Sequence, residues 1–206
     1  MALLGMSSLS VYAQDVDRFL TAAEVGDIKT VQEEISKGVD LNAQRDYNGW
    51  TALMGAVGKY DVDVVKTLID AGADMNVQNQ LGQTALMRAI LKPDRKDLSK
   101  LKIIRILISR GADLDVKDNR GWTALIYAAD KWDYNALEAL LEGGADVNVQ
   151  DNNGWTALMH AVDKDDALAV KELLHYGANP MVKNKAGKTA LSMATSEEVI
   201  KAFNAR

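Results

Sequence analysis

The side chains in this 206-residue sequence that could do chemistry are two histidines, a large set of carboxylates and four tryptophans. With no cysteine there is no thiolate nucleophile and no thiolate zinc site. The imidazoles are His160 and His175, and no nucleotide-binding glycine motif accompanies them. His175 precedes Gly177 and is placed to complement the carbonyl end of a helix. Asp74, Asp113 and Asp146 recur just after glycines, where a carboxylate bonds the backbone N–H groups of a turn. No acid, base and nucleophile converge, so neither catalysis nor a metal or cofactor site is expected. The tryptophans point elsewhere. Trp50, Trp122 and Trp155 each precede a Thr-Ala-Leu triplet, and tryptophan is enriched among the residues that dominate interface energy. Recognition of a surface is the expected chemistry.

Those tryptophans belong to a repeat. Gly154-Trp155-Thr156-Ala157-Leu158-Met159 has near copies at 49–54, 82–87, 121–126 and 187–192, with Gln83 and Lys188 at the tryptophan place in two of them. The threonines Thr51, Thr84, Thr123, Thr156 and Thr189 are 33, 39, 33 and 33 residues apart. Such a period signals stacked units, none of which buries its apolar face alone, so one elongated body is expected.

Each unit carries one plan. The threonine caps a first helix, with its hydroxyl accepting a bond from an otherwise orphaned backbone N–H. Leu53, Leu86, Leu125, Leu158 and Leu191 are expected to point inward, and Ala56, Ala89, Ala128, Ala161 and Ala194 to let a neighbouring helix approach. A second helix follows, with stripes such as Val64, Val65, Leu68 and Ile69, or Leu168, Val170, Leu173 and Leu174. Asp61, Asp133 and Asp166 stand where they would cap those helices. Gly38, Gly72, Gly111, Gly144 and Gly177 end them in a left-handed residue. A second turn signal, as in Asn152-Asn153-Gly154, makes the linking loop a hairpin-like finger.

The five T-A-L copies and the helix-ending glycines resemble the ankyrin-repeat family, whose unit is two antiparallel helices and a β-turn finger with a T-P-L-H-x-A signature. The resemblance implies an all-α solenoid of helix–turn–helix units over 15–206. It comprises a degenerate N-terminal unit at 15–45, full repeats at 46–78, 79–117, 118–150 and 151–183, and a C-terminal cap at 184–206. Ala52, Ala85, Ala124, Ala157 and Ala190 replace the family's proline, a change a helix tolerates. Met54, Met87, Ile126, Met159 and Ser192 replace its histidine, so apolar packing is expected where a polar tie between units is usual.

The resemblance also implies a non-catalytic binding scaffold that grips a partner protein on a concave face of finger tips and first helices. Mapped onto this chain, the partner-binding residues are Tyr47, Trp50, Gln83, Arg120, Trp122, Lys131, Trp155, His160 and Lys188. Trp50, Trp122 and Trp155 either form a ladder on that face or pack flat across their own finger and helix, and an amphipathic ring can do both. Trp132, at a turn between helices, is expected to cover a helix end.

Two stretches depart from the plan. The 39-residue step places six extra residues around 92–99, and the basic side chains Lys92, Arg95, Lys96 and Lys100 there either attract an acidic or anionic ligand or are simply solvated. The first thirteen residues carry no charge and end in Val11-Tyr12-Ala13 before Gln14-Asp15, the pattern of a cleaved secretory signal. An extra N-terminal helix is the alternative, and the stretch is too short to span a bilayer. In the degenerate unit, Phe19, Leu20, Ala22 and Ala23 are expected on a short helix, with Glu24, Lys29, Gln32, Glu33 and Glu34 on a polar outer face.

The net charge of −5 gives no reason to expect nucleic acid as a partner. The expected molecule is a monomer that binds an unidentified protein. If the signal is cleaved, it is a periplasmic or secreted protective or inhibitory protein; otherwise it is a cytoplasmic scaffold or host-directed effector.

Overall fold

The computed structural model describes residues 3–92 and 98–204, with side chains described from Ala13 onward. Among the described residues the chain is all-α, built of helix pairs joined by β-turn fingers, with one isolated bridge between Lys183 and Thr189. It divides into two compact bodies, Met1–Ile106 and Leu107–Arg206.

The first body holds α1 (Leu3–Val25), α2 (Ile28–Ser36), α3 (Ala52–Lys59), α4 (Val62–Asp70), α5 (Ala85–Leu91) and the start of α6 (Ser99–Ser109). The second holds the end of α6, then α7 (Ala124–Asp130), α8 (Tyr134–Glu142), α9 (Ala157–Asp163), α10 (Ala167–His175), α11 (Ala190–Met193) and α12 (Glu197–Asn204).

The caps fall where the repeat puts them. Thr51, Thr84, Thr123, Thr156 and Thr189 accept bonds from the N–H groups of Met54, Met87, Ile126, Met159 and Ser192, starting α3, α5, α7, α9 and α11. Asp61, Asp133 and Asp166 cap α4, α8 and α10 in the same way, and Asp27 does so for α2. Each cap is worth about 1 kcal/mol. A sequence that repeats them fixes every helix start independently of its neighbours.

Four expectations need correction. The first helix is not short: α1 runs 23 residues to Val25, because nothing between Met6 and Val25 breaks a helix, and it stops at Gly26 with φ 85°. Phe19, Leu20, Ala22 and Ala23 are buried, and the helix packs on α3, where a Cβ on Gly55 would lie 3.3 Å from the Cα of Glu24. Glu34 is not on a solvated face. It is fully buried and pairs with Arg18 at 2.6 Å and Lys37 at 3.2 Å.

Leu168 and Leu191 do not point inward; both are exposed, since Leu168 lies in the first turn of α10, off its core stripe, and Leu191 belongs to the four-residue helix of the last unit. Finally, Met54, Met87, Ile126 and Met159 do pack as buried apolar groups, yet polar ties between repeats persist, moved to the fingers. Gln44 donates to the carbonyls of Gly49 and Gln78, and Gln150 to those of Gly154 and Lys183.

The turn between the helices of a pair contains a left-handed residue that is not glycine: Tyr60, Trp132 or Asp165, with φ of 60°, 60° and 58°. Tyr60 is buried, whereas Trp132 is half exposed.

Two glycines show different constraints at similar positive φ. Gly144 (φ 87°) has nothing within 4 Å of where a Cβ would be, while at Gly121 (φ 77°) that Cβ would meet the backbone N of Asn152 at 2.6 Å. A left-handed side chain costs about 1–2 kcal/mol by itself. Gly144→Val should therefore lower stability by roughly that amount, and Gly121→Val by clearly more, because two finger backbones must also separate. Urea midpoints of the two variants check this; equal losses would remove the close approach as a constraint.

Candidate functional site

The fingers carry the candidate face, and one side chain shapes each of them. Asn79, Asp118, Asp151 and Asn184 stand four residues before the place of Gln83, Trp122, Trp155 and Lys188. In each, Oδ1 accepts two backbone N–H bonds at 2.8–3.0 Å: from Leu81 and Gln83, Arg120 and Trp122, Asn153 and Trp155, and Ala186 and Lys188. The main chain closes the same loops, as where Asp118 N–H donates to the Trp122 carbonyl at 2.9 Å and Asp151 N–H to that of Trp155 at 2.8 Å. The first finger is built otherwise. Asp46 holds that place in the sequence, yet the loop closes one residue earlier, where Arg45 N–H donates to the Trp50 carbonyl at 2.9 Å; the Arg45 guanidinium is held by Asp17 and Glu24, and Asn48 accepts from Trp50 N–H.

Where the finger residue is a carboxylate, its second oxygen reaches the first helix. Tyr127 donates its hydroxyl to Asp118 Oδ2 at 2.6 Å, and His160 Nε2 lies 3.2 Å from Asp151 Oδ2. Tyr127 and His160 occupy one repeat position, four residues after the capping threonine, held by Gly55 and Arg88 in the first body. That position decides what each tryptophan meets.

In the second body, His160 stands between two indoles, its ring centroid 4.7 Å from that of Trp122 and 5.2 Å from that of Trp155. Trp122 also meets the edge of Tyr127 at 5.1 Å and carries the Arg120 guanidinium 4.0 Å above its ring. The same Arg120 donates to the Tyr127 hydroxyl at 2.7 Å. In the first body the guanidinium of Arg88 lies 4.2 Å from the Trp50 ring, whose far edge comes within 4.0 Å of a Cβ placed on Gly58. Stacked guanidinium over indole is a cation–π contact of about 0.5–1 kcal/mol at an exposed site.

Trp50, Trp122 and Trp155 are each half buried, so every indole packs within its body and still presents an edge to solvent. Gln83 is buried in the finger turn, and Tyr47 is exposed beside a cleft lined by Val16, Leu20, Gln44 and Arg45. Lys131 and Lys164 share Asp130, at 2.9 and 3.1 Å, and Lys188 is exposed on the last finger. Burial pushes the Asp130 carboxyl up, but the two ammonium groups outweigh it and hold it below its ordinary value. Of the basic insert, Arg95 and Lys96 lie outside the described residues. Lys100 is buried and donates to the Lys92 carbonyl at 3.1 Å.

Sequence reasoning missed Asp118 and Asp151. The signal was there, an Asx residue three before each finger glycine at 79, 118, 151 and 184. It also placed Arg120 on the face without anticipating that the residue is seated on Trp122.

Among the described residues no group of histidine and carboxylate side chains is arranged to hold a metal, and no helix is long and apolar enough to cross a membrane. The buried finger carboxylates Asp118 and Asp151 are occupied by backbone N–H groups and by their helix partners. The arrangement orders a surface.

The family model for ankyrin repeats (3 copies) matches in overlapping placements, at 19–118, 58–151, 96–184 and 131–204. The chain belongs to the ankyrin-repeat family. The crystal structure of EF0377, an ankyrin repeat protein, superposes with a TM-score of 0.79 at 30% identity, over 92% of this chain and 97% of that one. Among curated proteins, ankyrin repeat domain-containing protein 40 of Mus musculus is 34% identical over 91 residues, which are 44% of this chain and 25% of that protein. The 2-5A-dependent ribonuclease of the same species is 37% identical over 76 residues, 37% of this chain and 10% of its own length. The chain thus spans a quarter or less of these curated relatives, and the match is to their repeats. Ankyrin repeats are in general non-catalytic protein-interaction modules.

His160 makes the face sensitive to acid. Burial lowers its imidazole pKa below the ordinary histidine value, and the bond to Asp151 offsets this only in part. As pH falls through about 6.5 the unfolded chain takes up this proton first, so the neutral ring's contribution is present above that pH and is lost below it. His160→Gln should show a smaller loss of stability between pH 7.5 and pH 5 than the wild-type protein, read as the change in urea midpoint. Parallel losses in both proteins would show that His160 does not titrate against folding.

Proposed function

We propose that this chain is a non-catalytic module that binds a partner protein through its fingers and first helices, with Trp122 and Trp155 at the centre of contact. The observation that carries this reading is the Trp122–His160–Trp155 stack. It is costly to build, since it holds a buried imidazole and two half-buried indoles in fixed orientation, and it leaves both indole edges open to solvent. Rigid, half-exposed aromatics with few rotamers to lose are suited to anchoring a protein interface. Family membership supports binding as the task; it does not name a partner.

A finer reading is that the protein is exported and protects or inhibits its partner outside the cytoplasm. Two features support it: the uncharged first thirteen residues, and the exposure of Ala13 and Gln14 at the candidate cleavage point. Mass determination of the amino terminus of natively expressed protein tests this reading, with a mature start near Gln14 expected. An intact Met1 would move the protein to the cytoplasm, where the same face would serve a scaffold or a host-directed effector.

Binding itself is tested by recovering partners from the native compartment with wild-type protein and with a Trp122→Ala, Trp155→Ala variant. The variant should keep its helical circular dichroism and lose a specifically recovered protein. Equal recovery by both would take the tryptophans out of the interface.

A further inference from the structure

The face that carries Trp122 and Trp155 differs in charge from the rest of the chain. The protein is acidic, with a net charge of −5, yet on the fingers and first-helix ends of the second body Arg120, Lys131, Lys164, Lys185 and Lys188 stand against Asp130, Asp163 and Asp165, with Asp133 and Asp166 engaged as helix caps. Asp118 and Asp151 are buried and already bonded inside the fingers, so the finger tips themselves, with Arg120, Lys185 and Lys188, carry no exposed carboxylate. Asp130 is shared by two lysines, which leaves that spot cationic.

The cations are placed as well as present. Arg120 is seated on Trp122, braced by Tyr127 and 3.6 Å from the buried Asp118 Oδ2 through Nε, while its side chain remains 57% exposed. A guanidinium fixed in this way loses little freedom when it takes a carboxylate fork. Lys188 occupies the tryptophan place in the next repeat after Trp155, and its finger is registered on the preceding one by Lys185 N–H donating to the Asn153 carbonyl at 3.0 Å. Along three successive fingers the order is therefore a cation seated on an indole, a second indole, and a cation.

Its spacing fits an extended chain. Trp122 and Trp155 are at most about 10 Å apart, since His160 lies 4.7 and 5.2 Å from them. Stacked helices repeat at about 8–10 Å, so Arg120 and Lys188 are two repeats, or roughly 16–20 Å, apart. An extended polypeptide rises about 3.3 Å per residue, and five to six residues cover that distance.

Building on the protein-binding reading above, we propose that the occupant of this face is an extended acidic polypeptide segment: two carboxylate side chains about five to six residues apart, taken by Arg120 and Lys188, with an apolar side chain between them against Trp122 and Trp155. Charge sets the register and the indoles supply the buried contact.

Selection of random twelve-residue displayed peptides on the immobilised full-length protein tests this. Enriched peptides should carry paired Asp or Glu residues at the stated spacing around an aromatic or aliphatic residue. A synthetic peptide of that sequence should bind with an affinity that falls about tenfold or more in a Lys185→Glu, Lys188→Glu variant, whose altered side chains are exposed, and that weakens as salt is raised.

Enriched peptides that are neutral or basic, lost with Trp155→Ala but indifferent to the lysine changes, overturn the charge inference and leave the protein-binding reading standing. No enrichment, or enrichment indifferent to both changes, overturns the two together. Tighter binding of a random single-stranded oligonucleotide than of the selected peptides also overturns the inference.

Discussion

The structure depends on one hydrogen-bonding device, the Asx side chain that folds each finger after the first. Asn79, Asp118, Asp151 and Asn184 each spend one oxygen on two backbone N–H groups that a projecting loop would otherwise leave to water. Once the loop is closed its backbone meets the preceding finger, as where Asn152 N–H donates to the Arg120 carbonyl and Lys185 N–H to that of Asn153. Finger register then fixes where Trp122, Trp155 and Lys188 stand. Without that cap the caps and core of the helices would persist, but nothing would hold the column in line.

The carboxylate versions have a second use. An aspartate keeps one oxygen for the loop and offers the other to the first helix, and it is this oxygen that engages Tyr127 or His160. Asparagine at the same place can make the loop but has an amide where the second acceptor would be. The choice between Asp and Asn thus couples the finger to the helix in the two repeats that bear the stacked tryptophans, and leaves it looser at 79 and 184.

Most of the fold was legible because its signals are local and repeated. Threonine caps, aspartate caps and left-handed glycines each act within a few residues, and each recurs at the expected place, so α3 to α10 could be read before any packing was known. The length of α1, the burial of Glu34 and the exposure of Leu168 and Leu191 depend instead on what lies against them at the ends of the array, and no periodicity carries that. The face was half legible. Its residues could be placed by register, yet the seating of Arg120 on Trp122 and the insertion of His160 between indoles arise from side chains of adjacent repeats meeting, which spacing alone does not show.

Gly55 sets the first full repeat apart. At the repeat position that supplies Arg88, Tyr127 and His160 it has no side chain, and a Cβ there would press on the backbone of Glu24 at 3.3 Å. The close seat of α1 and the missing side chain go together: anything larger than glycine would have to push that helix away. Repeats that start their helices alike are therefore not interchangeable, because what each one carries at this position is matched to the element packed against it.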